Sequence, residues 1–317
     1  MIAAISYSGD FIPDDGQLQR MKRQFPQVTF MDKKRDEWEL GGLENAEILI
    51  GFPSDGMLQT MRALKWLQLP SAGADSYAKR PALPEHVVVT SSSGVFSVPG
   101  AEHALALMLA LTRQLHVHFR QQSERIWKHN PRCLEIQDSN VTIIGMGDIG
   151  TELARKAKGL GACVIGVKRS LSERPSFVDE LVVTADLDSA LAKSDFIVST
   201  LPLTAETEGI ISAERIGRMK RGAVFINIGR GRTVDEEALI EALQSGHLHG
   251  AGLDVTAVEP PQASSLLWDM PNVILTAHAA GVSPKKAERR TELFAANIQR
   301  YLQGEPLLNV IERGRGY

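Results

Sequence analysis

Val141-Thr142-Ile143-Ile144-Gly145-Met146-Gly147-Asp148-Ile149-Gly150 reads as a short buried strand, a glycine turn and the opening of a helix that continues through Thr151-Glu152-Leu153-Ala154. Each glycine of this G-x-G-x-x-G answers a separate physical demand. Gly145 permits a tight turn off the strand, Gly147 keeps a Cβ out of the path of a pyrophosphate, and Gly150 lets helix and strand pack closely. Unpaired N–H groups at the helix start, together with the helix dipole, favour a diphosphate there. The fingerprint alone fits a plain strand–turn–helix equally well. A second apolar run, Cys163-Val164-Ile165-Gly166-Val167, follows at βαβ distance and tips the reading towards a dinucleotide site formed by Gly145, Met146, Gly147, Asp148, Ile149 and Gly150.

Downstream, Leu181–Thr184, Phe196–Thr200, Ala223–Asn227, Gly250–Val255 and Val273–Thr276 read as further strands with helical stretches between them. The clearest helix is Asp235–Ser245, with Asp235 as N-cap and Gly246 as the residue that ends it. This alternation predicts a doubly wound parallel sheet over residues 99–281. Upstream, Ile2–Ser6, Gln27–Phe30, Ile48–Gly51, Trp66–Leu69 and Val87–Thr90 read as strands of a separate α/β domain, with a helix over Gly16–Arg23. The amphipathic segment Pro284–Tyr301 is expected to pack back on that domain, which makes it discontinuous, 1–98 with 282–317.

Between the two lies Pro99-Gly100, which introduces a helix over Ala101–Arg113 with Leu105, Leu107, Met108, Leu109 and Leu111 on nearly every side. A helix apolar all round is expected to be buried on all sides, at a subunit interface or in a central core. Leu115–Gln137 is rich in His, Arg and Gln. His116, His118 and His129 lack clustered carboxylate or thiol partners, so the segment reads as a solvated or interfacial arm rather than a metal site.

The 317 residues leave room for two domains and a sizeable core. Apolar content of 43% and charged content of 23% suit a soluble globular protein, and a net charge of -3 gives no basic excess for nucleic acid. Cys133 and Cys163 supply neither a disulfide framework nor metal-ligand spacing. The first residues lack a basic region followed by an apolar one, and Ala104–Leu111 is far shorter than the ~18 residues of a membrane span. A cytoplasmic protein with no membrane, nucleic-acid or metal partner is expected.

Residues able to do chemistry recur at predicted strand ends. They are Asn227-Ile228-Gly229-Arg230-Gly231, Asp254, Glu259-Pro260 and Thr276-Ala277-His278-Ala279-Ala280-Gly281. Any one alone reads as an ordinary surface charge or structural residue. Their joint placement at successive carboxyl ends, where open α/β sheets bind ligands, points to a site. In the first domain, Gly51-Phe52-Pro53-Ser54 and Pro70-Ser71-Ala72-Gly73-Ala74-Asp75 stand at equivalent ends. Ala72 and Gly73 either offer backbone N–H groups to an anion or form a plain turn into a helix near Asp75.

With these motifs assembled, the chain resembles the D-isomer-specific 2-hydroxyacid dehydrogenases over nearly its whole length. The resemblance runs through Pro99-Gly100-Ala101-Glu102-His103, Gly145–Gly150, Leu201-Pro202-Leu203-Thr204 with Thr207, Asn227–Gly231, Gly252-Leu253-Asp254-Val255, Glu259-Pro260 and Thr276–Gly281. It implies a Rossmann-type cofactor domain, a smaller flavodoxin-like α/β substrate domain, and catalytic roles for Arg230, Glu259 and His278. It further implies cofactor contacts from Leu201, Pro202, Thr207, Ile228, Gly229 and Ala280, and an Asp254 that anchors the nicotinamide carboxamide. Ala72 and Gly73 would then hold the substrate carboxylate. Phe52, Pro53 and Trp268, with residues from the arm of a partner subunit, would shape the side-chain pocket of a homodimer. Many relatives carry proline where this chain has Ala277, which predicts a slightly relaxed loop.

The residue types suit a 2-oxoacid reductase, equivalently a D-2-hydroxyacid dehydrogenase. An imidazole titrates near neutral pH and can deliver a proton to the oxo oxygen. A carboxylate on its other nitrogen would orient it, and a guanidinium can fork onto the substrate carboxylate. A glyoxylate/hydroxypyruvate reductase is the more specific alternative. A dinucleotide-sensing scaffold without turnover is the alternative from another class. The second strand of the fingerprint ends in Lys168-Arg169-Ser170, without the acid that usually binds an NAD ribose. A basic turn with a hydroxyl favours NADP(H) over NAD(H).

Overall fold

The computed structural model describes residues 1–9, 11–12, 15–170 and 172–314. It divides into two units, Met1–Phe96 with Ser283–Tyr317, and Ser97–Val282. In the first, β1 (Ile2–Tyr7), α1 (Asp15–Gln24), β2 (Thr29–Lys34), α2 (Arg35–Trp38), β3 (Ile48–Gly51), α3 (Asp55–Thr60), β4 (Trp66–Gln68), α4 (Asp75–Ala78) and β5 (Val88–Thr90) follow in turn. The strands are all parallel, in the flavodoxin-like order β2-β1-β3-β4-β5. A parallel sheet is covered on both faces, so alternate residues enter two apolar layers rather than core and solvent. Ala3, Ile5, Ile48 and Ile50 meet Leu18, Met21 and Phe25 on one face, while Ala4 and Leu49 meet Trp38, Met57 and Leu58 on the other.

The second unit opens with α5 (Ser97–Thr112) and α6 (Leu115–Ser123). There follow β6 (Asn140–Ile144), α7 (Asp148–Gly159), β7 (Cys163–Lys168), β8 (Glu180–Val183), α8 (Leu187–Lys193), β9 (Phe196–Ser199) and α9 (Ala213–Arg218). The unit ends with β10 (Val224–Asn227), α10 (Glu236–Gln244), β11 (Gly250–Leu253) and β12 (Val273–Leu275). Its seven strands are parallel in the order β12-β11-β10-β9-β6-β7-β8, a Rossmann-type sheet whose winding reverses between β6 and β9. The glycine turn leaves β6 at that switch point. Ile143, Val164, Val198 and Ile226 pack with α5 and α7 through Ala104, Met108, Leu153 and Ala157. Ile144, Ile165, Ile197 and Phe225 pack with Leu191, Ile216 and Leu243 on the opposite face.

The chain then returns to the first unit through α11 (Lys286–Gln303), whose Phe294 and Ile298 join the α1 layer. A buried polar chain sets its register. Trp66 Nε1 donates to Thr90 Oγ1 (2.8 Å), Thr90 to Gln68 Oε1 (2.8 Å), and Asn297 Nδ2 to the same oxygen (3.0 Å). Orphaning one such buried partner costs about 1–3 kcal/mol, so the network specifies one docking of α11.

Three expectations change. β2 starts at Thr29 and runs to Lys34, not over Gln27–Phe30, because an edge strand is half solvated and polar residues such as Asp32 and Lys33 can belong to it. α5 starts at Ser97, with Pro99 in the first turn where its missing N–H is no loss. It is also not buried on all sides. Ala101, Ala104, Met108 and Leu111 are buried, but Glu102, Ala106 and Leu109 form an open face. Apolar composition says nothing about whether a partner from the same chain covers each face. α10 follows its reading, with Asp235 accepting from the Ala238 N–H at 3.1 Å and Gly246 at φ +67° after it. Among the described residues, no helix is long and apolar enough to cross a membrane.

Candidate active site

The three glycines of the turn have three different surroundings. Gly145 sits at φ +102° and donates its N–H to the Val167 carbonyl (3.0 Å). A Cβ on Gly150 would lie 2.1 Å from the Gly145 oxygen, which is how closely α7 approaches the turn. A Cβ on Gly147 would meet nothing within 4 Å, so the surface above the helix start is open. Gly147 is itself the N-cap, and no side chain caps α7. This is a cradle that fits a dinucleotide diphosphate. Met146 and Ile149 turn their side chains into protein, against Gly166 and Gly100, leaving only their backbone at the turn.

Around this turn, Lys168 ends β7 and its Nζ lies 2.9 Å from Ser172 Oγ. Arg169 is 3.7 Å from Glu206, both well exposed. The loop after β9 is fixed by Thr207, whose hydroxyl donates to the Pro202 carbonyl at 2.6 Å. Leu201 lies so close to Gly229 that a Cβ there would be 2.5 Å from the Leu201 oxygen.

Arg230 follows β10 on a backbone clamped from both sides. Asn227 Oδ1 accepts from the Gly229 N–H (3.0 Å), and the Arg230 carbonyl accepts from Asn227 Nδ2 (3.0 Å) and Thr233 Oγ1 (2.7 Å). A Cβ on Gly231 would fall 1.9 Å from the Thr256 oxygen, so only glycine fits there. The Asp254 N–H donates to the Asn227 carbonyl (2.9 Å), which sets this loop beside the next.

Asp254 carries the strongest local constraint. Its carboxylate has no exposed surface. Oδ1 accepts from Thr276 Oγ1 (2.5 Å) and the Ala279 N–H (2.8 Å), and Oδ2 accepts from the Ala280 N–H (2.9 Å). Its main-chain carbonyl takes the His278 N–H at 2.9 Å. The loop that carries Ala277 is thus laced to one side chain. His278 sits at φ +50°, a left-handed conformation uncommon outside glycine. Its Nδ1 is 2.8 Å from Glu259 Oε2, and both side chains are partly exposed. With Nδ1 engaged, Nε2 is the nitrogen left to meet a ligand.

In the first unit, the loop after β4 is held by its carbonyls. Arg290, 4% exposed, donates Nε to the Pro70 oxygen (2.8 Å), with its guanidinium over the rings of Phe11 and Phe96. Ser92 Oγ donates to the Leu69 oxygen (2.7 Å), the Ser92 N–H to Ser71 (2.8 Å), and Ser71 Oγ to Gly73 (2.6 Å). The N–H groups of Ala72 and Gly73 meet no acceptor among the described residues. The neighbouring Pro53 carbonyl accepts from Tyr77 Oη (3.1 Å) and Arg80 (2.9 Å), and burial pushes the Tyr77 phenol up. Phe52 lies against the Tyr77 ring, 6.4 Å between centroids, whereas Trp268 is half-exposed and donates to the nearby Gln262 carbonyl.

Arg290, Thr233 and Ser92 escaped the sequence reading. Arg290 did carry a signal, since it shares the buried helical face of Phe294, Asn297 and Ile298 at spacings of four, seven and eight. Thr233 and Ser92 had none. No group of three His, Cys, Asp or Glu able to hold a metal occurs among the described residues.

Residues 105–280, more than half of the chain, match the family model described as D-isomer specific 2-hydroxyacid dehydrogenase, NAD binding domain. A glyoxylate reductase of Korarchaeum cryptofilum is 34% identical over 249 residues, 77% of this chain and 74% of the relative. A solved D-isomer specific 2-hydroxyacid dehydrogenase from Xanthobacter autotrophicus Py2, in complex with NADPH and MES, is 32% identical and superposes with a TM-score of 0.88 over 99% of each chain. An NADPH-dependent glyoxylate/hydroxypyruvate reductase from Sinorhizobium meliloti, in complex with NADP and sulfate, is 29% identical, with a TM-score of 0.84 over 100% of each chain. With the switch-point turn and the strand-end motifs already in place, the chain belongs to the D-isomer-specific 2-hydroxyacid dehydrogenases, NAD(P)-dependent oxidoreductases of 2-hydroxyacids.

Proposed function

We propose that the protein reduces a small 2-oxoacid of the glyoxylate or hydroxypyruvate class, with NADP(H) preferred to NAD(H). The dinucleotide, when bound, supplies the hydride that reaches the oxo carbon. His278 Nε2 gives the proton to the oxo oxygen as the C=O bond becomes C–OH, and takes it back in the reverse direction. Glu259 holds Nδ1 and so keeps Nε2 directed outward. Arg230 forks onto the substrate carboxylate and polarises the carbonyl. The free N–H groups of Ala72 and Gly73 bind the carboxylate as well. The observation that carries this reading is the 2.8 Å contact of His278 with Glu259 on a loop fixed by a buried carboxylate.

Gly145, Met146, Gly147, Asp148, Ile149 and Gly150 hold the diphosphate through backbone. Leu201, Pro202, Thr207, Ile228, Gly229 and Ala280 line the rest of the dinucleotide path. Asp254 serves the nicotinamide end, chiefly by holding the loop of His278. Lys168, Arg169 and Ser170 bind the 2′-phosphate, and two neighbours crystallised with NADPH or NADP support this preference. Ser97–Val282 is thus the cofactor domain, and Met1–Phe96 with Ser283–Tyr317 the substrate domain. The open face of α5 and the exposed Phe119 and Trp127 support a homodimer, whose arm adds to the side-chain pocket that Phe52, Pro53 and Trp268 begin. Exposed unpaired Cys133 and Cys163 support a reducing, cytoplasmic setting.

The test is steady-state oxidation of NADPH and NADH with glyoxylate, hydroxypyruvate, pyruvate and bulkier 2-oxoacids. The proposal expects the highest kcat/KM with NADPH and one of the first two. Binding of NADPH without turnover of any 2-oxoacid would instead indicate a dinucleotide-sensing scaffold, and equal use of NADH would make the basic turn incidental.

A further inference from the structure

We propose that His103, on α5, is a positioning residue for the loop that carries His278. Its Nε2 lies 2.9 Å from Thr276 Oγ1 and 3.4 Å from Asp254 Oδ1. A threonine hydroxyl has one proton. Here that proton goes to Asp254 Oδ1, 2.5 Å away, so Thr276 Oγ1 must act as acceptor towards the imidazole. His103 therefore carries its proton on Nε2. The result is a directed chain, from His103 Nε2–H to Thr276 Oγ1–H to the Asp254 carboxylate.

Three properties give this chain a function. Asp254 is a fully buried carboxylate, and a buried charge is tolerated only when its oxygens are well supplied with donors. Thr276 supplies the shortest of its bonds, and among the described residues one further side chain bonds that hydroxyl and can hold its rotamer. His103 does so from another element, a helix packed on the sheet through Ala104, Leu107 and Met108 and 173 residues away in sequence. Without the imidazole, Thr276 is free to turn off Asp254, and the carboxylate loses part of its hold on the Ala279 and Ala280 N–H groups. The error then reaches His278, two residues from Thr276. His103 does not touch the reacting atoms on this account; it acts through the loop.

The inference rests on His278 being the acid–base residue, so the experiment includes a control for that reading. His103→Leu removes the donor, His103→Gln retains an N–H donor, and Thr276→Val removes the acceptor. For each, kcat and KM are measured with glyoxylate and NADPH, alongside the NADPH Kd from nucleotide fluorescence and the Tm. His103→Leu and Thr276→Val are expected to lower kcat about 10- to 100-fold, the loss that follows a small misplacement of a catalytic group. NADPH Kd should rise at most a few-fold, because Ala280 is one of many contacts proposed for the dinucleotide, and His103→Gln should recover most of the rate. Wild-type kcat in His103→Leu overturns the proposal. So do equal losses in His103→Leu and His103→Gln, which would mark His103 as a general packing residue. Should His103→Leu fail to fold, His103→Met, as long as glutamine but without its donor, takes its place in the comparison with His103→Gln. His278→Gln is run in parallel: if it keeps full activity, the reading of His278 fails, independently of what the His103 variants do.

Discussion

Two loops, one in each unit, are both fixed by a buried ion, and the sign of the ion decides what each loop can offer. The loop at 276–280 is held by an anion. Asp254 consumes backbone N–H groups, those of Ala279 and Ala280, and the loop presents a side chain, His278. The loop at 69–74 is held by a cation and by hydroxyls. Arg290, Ser92 and Ser71 consume carbonyls, and the N–H groups of Ala72 and Gly73 meet no acceptor among the described residues. A carboxylate brace leaves a loop poor in donors, which suits delivery of an imidazole. A guanidinium brace leaves a loop rich in donors, which suits binding of an anion. The difference follows from elementary hydrogen-bond complementarity, and it underlies the separate tasks proposed for the two loops.

The most damaging way to test the anion-braced loop is to remove what it presents. His278→Gln should lower kcat by roughly 10²- to 10⁴-fold, the range for losing a general acid, with NADPH Kd unchanged in a fluorescence titration. Removing the brace comes next. Asp254→Asn turns one acceptor into an N–H₂ group facing an N–H donor, leaving a buried donor unmatched at a cost of about 1–3 kcal/mol. Thermal denaturation should show the lost stability, and kcat should fall with it. If Asp254→Asn keeps both, the carboxylate is not what holds the loop.

The cation-braced loop should fail differently. Arg290→Met removes a charge-assisted bond to Pro70 worth about 1.5–3 kcal/mol, so KM for the 2-oxoacid should rise roughly tenfold while KM for NADPH stays put. A loss confined to kcat would contradict the anion-binding role of Ala72 and Gly73. An exposed ion pair supplies the contrast to both buried ions. Glu206→Gln should loosen one contact of Arg169 and tighten NADPH binding only a few-fold, an effect that fades in high salt, because exposed pairs contribute about 0–1 kcal/mol.

How much of this was legible in the sequence tracks the distance over which each interaction acts. The Gly145–Gly150 turn, the capped helix after Asp235 and the buried strands of the cofactor unit are set by neighbours a few residues apart, and local pattern finds them. Glu259 and His278 were legible as residue types at strand ends, and the structure brings them into contact. The braces were not. Arg290 is 220 residues from the carbonyl it holds, and the bonds of Asp254 span 22 to 26 residues. Motifs named Asp254 without revealing that its oxygens are already committed within the loop. For α5 the sequence left a subunit interface and a central core as alternatives, since composition cannot say which of its faces the same chain covers.

Backbone amide hydrogen exchange, read residue by residue by NMR, tests the contrast between the two braces most directly. The account predicts slow exchange at Ala279 and Ala280, whose N–H groups are bound to Asp254, and fast exchange at Ala72 and Gly73 that slows when oxalate is added with NADP. Equal protection of all four amides in the free protein would contradict it.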